Sequence, residues 1–123
     1  MTAPTYTTSQ LAEAAEVGSQ TLRYYERRGL LPEPPRTDGG HRLYGPSHLE
    51  RLRFIQAFQG LGFQLEDIQA LLRVREAPAE APAANETIDH FLGRLDEKAS
   101  ALQDMRASIA SLRAEAEASL ARD

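Results

Sequence analysis

The side chains in this sequence that could do chemistry of a definite kind are hydrogen-bond donors, and they come in two groups. Arg23, Tyr24, Tyr25, Arg27 and Arg28 crowd into six residues, with Ser19, Gln20 and Thr21 just ahead of them; Arg36, His41, Arg42 and Tyr44 follow. A guanidinium is a permanent, planar cation whose fork of donors fits phosphate oxygens or a guanine edge, and Ser, Thr and Gln bond base edges or backbone. An element that reads nucleic acid needs donors near its start for bases and cations one or two turns on for phosphates. Plainer roles compete at two positions. Tyr25, three residues after Leu22 and four before Gly29, is placed equally well for a core. Arg28 suits a solvated helix end, where a cation complements the dipole.

No comparable set supports catalysis or metal binding. There is no Gly-rich phosphate loop, no supported Ser/His/Asp arrangement and no pair of carboxylates in an apolar setting. The 123 residues include no Cys, which removes disulfides, iron–sulfur clusters, thiolate metal sites and a Cys nucleophile from these residues. His41, His48 and His90 match no zinc spacing. Glu86 and His90 share a helical face near Asp89, but one His among solvated carboxylates reads as surface. The expectation is therefore no cofactor, no metal and no enzyme.

The elements that must position the donors follow from charge and punctuation. Net charge is −4, which taken alone argues against a polyanionic partner. By segment, residues 19–53 hold seven Arg against four acids, and residues 76–123 hold five basic residues against ten acids, so a +3 region precedes a −5 region. The length suits one domain, or a small domain plus an extended element. No apolar run nears the ~18 residues of a membrane span, and the N-terminus lacks a signal-peptide core, so a cytoplasmic protein with no membrane partner is expected.

Thr7 with Gln10 resembles a capping box, Leu11, Ala12 and Ala15 share one face, and Gly18 closes a first helix. Ser19 caps a second helix through Leu22, Tyr25 and Glu26 that stops at Gly29. Two short helices joined by a Gly-containing turn predict a helix-turn-helix. In residues 32–45, Asp38-Gly39-Gly40 joins two arms and predicts a two-stranded hairpin. Pro46, with Ser47 and Glu50, opens a third helix carrying Leu49, Leu52, Ile55 and Phe58 until Gly60 and Gly62. A fourth helix carries Leu65, Ile68, Leu71 and Leu72. The expected domains are 1–75, a Pro/Ala-rich linker at 76–84, and a helix over 85–123.

That last helix carries a heptad seam. Ile88, Leu95, Leu102, Ile109 and Ala116 fall at one position, with Phe91, Lys98, Met105, Leu112 and Ser119 three further on. The plainer alternative is a helix folded back on the first half of the chain, but a 3.5-residue period held over four heptads is that of a coiled coil and favours pairing between chains. Dimerisation through Ile88, Phe91, Leu95, Leu102, Met105, Ile109 and Leu112 is predicted from the seam alone, with Lys98 and Ser119 interrupting it.

The blocks Leu-Arg-Tyr-Tyr-Glu (22–26), Arg-Thr-Asp-Gly-Gly-His-Arg-Leu-Tyr (36–44) and Leu-Arg-Phe-Ile-Gln-Ala-Phe-Gln-Gly-Leu-Gly-Phe (52–63) resemble the MerR family of bacterial transcription regulators. The resemblance runs from about residue 6 to residue 72, with the long helix where the family has it. It implies a mainly α fold: a winged helix-turn-helix followed by a helix that forms an antiparallel coiled-coil dimer. Arg23, Tyr24, Tyr25, Arg36, Arg42 and Tyr44 match the family's DNA-contacting positions. The implied mechanism is a homodimer on an inverted repeat in a promoter, which distorts the duplex so that RNA polymerase can use it, usually as an activator.

Two departures qualify this. Metal-sensing members place a Cys at the start of the dimerisation helix and more in a loop after it; here Asn85 stands at the first position and the sequence stops at Asp123, so thiolate sensing is not expected and the effector is unknown. Many relatives are basic where this chain has Gln56, Ala57 and Gln59, so fewer phosphate contacts are expected from the third helix, with Arg51 and Arg53 as candidate substitutes whose direction the sequence does not show. An alternative is an effector-independent architectural DNA-binding protein, or the heterodimer partner of a sensing relative.

Overall fold

The computed structural model describes residues 4–80 and 83–122. Ala81 and Pro82 of the expected linker lie outside them, as do residues 1–3 and Asp123 at the ends of the expected domains. The chain divides into two compact units, Met1–Pro78 and Ala79–Asp123.

The first unit holds four helices. Helix α1, Thr8–Ala15, starts with the expected box: the Gln10 N–H donates to Thr7 Oγ1 at 3.2 Å and the Thr7 N–H donates to Gln10 Oε1 at 2.9 Å. Its buried face is Leu11, Ala12 and Ala15. The helix ends earlier than expected. Glu16 takes the left-handed conformation at φ 57°, and its N–H and that of Val17 return to the Ala12 carbonyl, so the chain has turned before Gly18. Gly18 is extended and caps α2, Ser19–Arg27, which makes Ser19 the first helical residue and not the cap. Leu22 and Tyr25 form the buried stripe of α2. Gly29, at φ +75°, then turns the chain so that the Leu30 N–H reaches the Tyr25 carbonyl at 2.8 Å.

The hairpin is slighter than expected: among the described residues its arms meet in one bridge, Arg36 with Arg42, and form no strand. The Thr37 N–H reaches the His41 carbonyl at 2.8 Å around a turn with Gly40 at φ +81°. Pro34 and Pro35 have no N–H to extend the ladder, which explains its shortness. A second bridge joins Tyr44 to Tyr6, outside the hairpin, by two hydrogen bonds of 2.8 Å.

Helix α3, Pro46–Gly60, begins with Pro at its first position. The Ser47/Glu50 cap does not form; Gly45 is the capping residue, and its N–H is taken by His48 Nδ1 at 3.2 Å while His48 Nε2 lies 3.2 Å from the Pro32 carbonyl. Leu52 and Ile55 are buried, and Phe58 packs between Phe54 and Phe63. Helix α4, Leu65–Glu76, buries Ile68, Leu72 and Val74 and has acids in its first turn and arginines in its last, as its dipole favours. Helix α3 packs against α1 and α4, and α1 against α2.

The second unit is one helix, α5, Ala84–Ala121, preceded by a 3-10 turn at Pro78–Glu80. At 38 residues it is about 57 Å long. Phe91 is buried and Leu95 half-buried, whereas every described residue from Ser100 onward is exposed.

Candidate nucleic-acid interface

The donors on α2 divide by face. Leu22 and Tyr25 point inward, which leaves Gln20, Arg23, Tyr24 and Arg27 exposed and Ser19, Thr21 and Arg28 half-exposed. Tyr24 is held between cations: the Arg28 guanidinium donates to its hydroxyl at 2.7 Å and lies 5.7 Å from its ring centroid, with Arg27 at 6.0 Å. On the wing Arg36 and His41 are exposed, and Arg36 Nη1 donates to the Gly40 carbonyl at 2.9 Å, which stiffens the turn.

Two expected contact residues are instead core. Tyr25 is 5% exposed and its hydroxyl donates to Gln59 Oε1 at 2.6 Å; burial above all raises its pKa. Tyr44 is fully buried, its ring edge-on to His48 at 5.2 Å, and its hydroxyl donates to Glu26. Burial first, and the Glu26 carboxylate second, push its pKa up to about 12. Neither phenol faces outward toward a duplex, because the apolar rings are needed between α2, the wing and α3.

Glu26 is the one acid within this run of donors, and the fold gives it two partners. Its side chain is 10% exposed; one oxygen accepts from Tyr44 and the other lies 3.3 Å from Arg42 Nε. It joins the recognition helix to the wing. The signal in the sequence is a single acid inside a run of donors, Arg-Tyr-Tyr-Glu-Arg-Arg. Between α2 and the wing, Arg23, Glu26, Arg27, Glu33 and Arg42 line an open groove of about 320 Å³.

The third-helix residues also divide. Gln56 donates to the Ala15 carbonyl at 2.7 Å and the Gln59 amide oxygen accepts from Tyr25, so both tie α3 to the neighbouring helices. Arg51, a candidate for a phosphate contact, turns inward instead: it donates to the Leu30 carbonyl and pairs with Glu76, and burial lowers its pKa. Arg53 is exposed. Among the described residues no cluster of three His, Cys, Asp or Glu is arranged to hold a metal, and no helix is long and apolar enough to cross a membrane.

A helix-turn-helix whose second helix and adjoining wing display arginines is a DNA-binding domain of the winged helix-turn-helix class. The description "MerR HTH family regulatory protein" matches residues 6–74 and "MerR, DNA binding" matches residues 49–112, and the chain belongs to the MerR family of DNA-binding transcription regulators. It is 40% identical to the HTH-type transcriptional regulator ZntR of Escherichia coli over 107 residues, covering 87% of this chain and 70% of that one. The mercuric resistance operon regulatory protein of Serratia marcescens is 38% identical over 101 residues, 82% of this chain and 69% of that one. Among solved structures, the Ralstonia metallidurans transcription regulator in complex with lead(II) superposes with a TM-score of 0.60 at 33% identity, covering 88% of this chain and 85% of that one. HiNmlR, a MerR family regulator lacking the sensor domain and bound to promoter DNA, shares the fold with a TM-score of 0.67 at 24% identity, over 86% of this chain and 79% of that one. These relatives are regulators and not enzymes.

Proposed function

We propose that two copies of this chain pair along α5 and that the homodimer binds an inverted repeat in a promoter, distorting the duplex to change its use by RNA polymerase. The observation that carries this is the seam of α5. Leu102, Met105, Ile109 and Leu112 are each about 60% exposed at heptad spacing on a helix whose distal half is otherwise solvated. Burying such a side chain against a partner is worth roughly 1.5–3 kcal/mol, so four on each helix outweigh a modest association cost. Ile88 joins them, whereas Phe91 is already buried within one chain.

In this reading Ser19, Gln20, Thr21 and Arg23 at the start of α2 face base edges. Tyr24 and Arg27, with Arg36, His41 and Arg42 of the wing, take phosphates. Their contacts offset a duplex deformation that costs of order 1–6 kcal/mol. Asn85 and the lack of Cys among these 123 residues support a signal read without thiolates.

Light scattering and a gel shift on a duplex from the protein's own upstream region test the proposal together. The expected result is a dimer that prefers an inverted repeat, with Ile109→Glu converting it to a monomer of much weaker DNA binding. A monomeric wild-type chain, or equal affinity for the repeat and scrambled DNA, refutes it. The lack of thiolates also favours an effector-independent architectural role; promoter transcription that no small molecule alters selects that second reading.

A further inference from the structure

The contact between Glu26 and Arg42 is an unusual one. Arg42 Nε is buried and makes no hydrogen bond, although Glu26 Oε2 lies 3.3 Å away, close enough for an ion pair. The same carboxylate accepts the Tyr44 hydroxyl, so Glu26 cannot turn toward Arg42 without releasing the core phenol. Arg42 Nε is therefore held by charge without a hydrogen bond, while the side chain is 26% exposed toward the groove. It lies on the wall of a groove that also exposes Arg23 and Arg27 and that contains two acids, Glu26 and Glu33.

We propose that Glu26 is a specificity-determining residue: it withholds Arg42 from DNA in general and yields it only to a duplex shaped to place a phosphate in the groove between α2 and the wing. The proposal rests on the reading of α2 and the wing as the DNA-contacting face. A phosphate outside the groove meets the exposed Arg23, Arg27 and Arg36 but not Arg42, which stays with Glu26. A phosphate inside the groove offers Arg42 several oxygens where Glu26 offers one badly aligned oxygen, and guanidinium–phosphate pairs are strengthened by such forked geometry. It must also come close to two carboxylates. Like charges repel, so entry is favourable only where Arg23, Arg27 and Arg42 act on the phosphate together. Discrimination then arises from duplex shape at a position where no base is touched.

The test uses the full-length protein and two probes: a 30-bp duplex recovered by repeated selection from a random library with the wild-type protein, and the unselected random duplex. Glu26→Gln keeps an acceptor for Tyr44 and removes the charge that holds Arg42. Affinity for random DNA is expected to rise about tenfold, with the log–log salt slope steeper by about 0.9 per protomer, the value of one added phosphate contact. Affinity for the selected duplex is expected to change less than about threefold, so the ratio between the probes falls. Glu33→Gln, which removes a repelling charge from the same groove without touching Arg42, raises affinity for the selected duplex and leaves random DNA unchanged, so the ratio rises where Glu26→Gln lowers it.

Arg42→Ala supplies an independent arm should the Glu26 variant fail to fold. It is expected to weaken the selected duplex about tenfold and to leave random-DNA affinity and its salt slope unchanged, because Arg42 is not engaged there. A Glu26→Gln effect equal on both probes, or an Arg42→Ala loss equal on both, overturns the inference. A wild-type protein that enriches no sequence overturns the DNA-reading function beneath it, and does so before any variant is measured.

Discussion

Replacing Tyr44 by Phe removes one oxygen from a buried polar contact between α2 and the wing and leaves its packing in place. The ring stays edge-on to His48 at 5.2 Å, and the backbone bonds between Tyr44 and Tyr6 are untouched. What is lost is a hydrogen bond from a fully buried phenol to the largely buried Glu26 carboxylate. Hydrogen bonds to charged groups contribute about 1.5–3 kcal/mol, and Glu26 keeps Arg42, so a loss near 2 kcal/mol is expected. For a unit of this size that lowers Tm by roughly 10 °C. Near-ultraviolet circular dichroism follows it directly, because all four tyrosines lie between residues 6 and 44. The same substitution has a pH signature. The phenol is lifted from 10.0 to about 12, so the folded chain holds this proton more tightly than the unfolded chain. That stabilisation is whole below pH 10 and is lost as pH rises from 10 toward 12. The wild-type protein should therefore lose stability more steeply than Tyr44→Phe above pH 10. A Tm change under about 2 °C, or parallel alkaline slopes for the two proteins, refutes the account of Glu26 and Tyr44 as the joint between α2 and the wing.

Glu16 stands in the left-handed region at φ 57°, where a side chain costs about 1 kcal/mol, so Glu16→Gly should raise the unfolding free energy of the first unit, read from urea denaturation, by about that amount. Thr7→Ala removes one half of the capping box and is expected to cost about 1 kcal/mol by the same measurement, with Thr7→Ser restoring most of it. Arg51→Met keeps the apolar stem but leaves the Leu30 carbonyl without its donor. A loss of about 1–3 kcal/mol in thermal unfolding is expected, with faster hydrogen exchange at the end of α2.

Much of the architecture is legible without coordinates because it rests on local rules. The Thr7/Gln10 box, the turn at Gly29, Pro46 at the start of α3 and the apolar spacing of Leu11, Ala12 and Ala15 each depend on residues within a turn of one another. Charge segregation and the heptad seam are equally properties of the chain. The misplaced features are those decided by competition between neighbours. Ser19 and Ser47 have the chemistry of caps, but Gly18 and Gly45 occupy the capping positions, since the backbone turns at Glu16 and since His48 takes the Gly45 N–H.

The sequence by itself determined that this chain carries a cluster of hydrogen-bond donors, a wing turn and a long helix with a heptad seam, because residue type and spacing suffice for those. Only the tertiary structure decided which donors are free. Tyr25, Tyr44 and Arg51 look the same in the sequence as Tyr24 and Arg23, yet the first three are bound internally to Gln59, Glu26 and the Leu30 carbonyl. Those acceptors lie 34, 18 and 21 residues away in the chain, beyond the reach of any periodicity, and come near only when helices pack. Glu26 is the clearest case. In the sequence it is one acid that lowers a positive count; in the fold its carboxylate joins the recognition helix to the wing, because burial leaves it Tyr44 and Arg42 as neighbours.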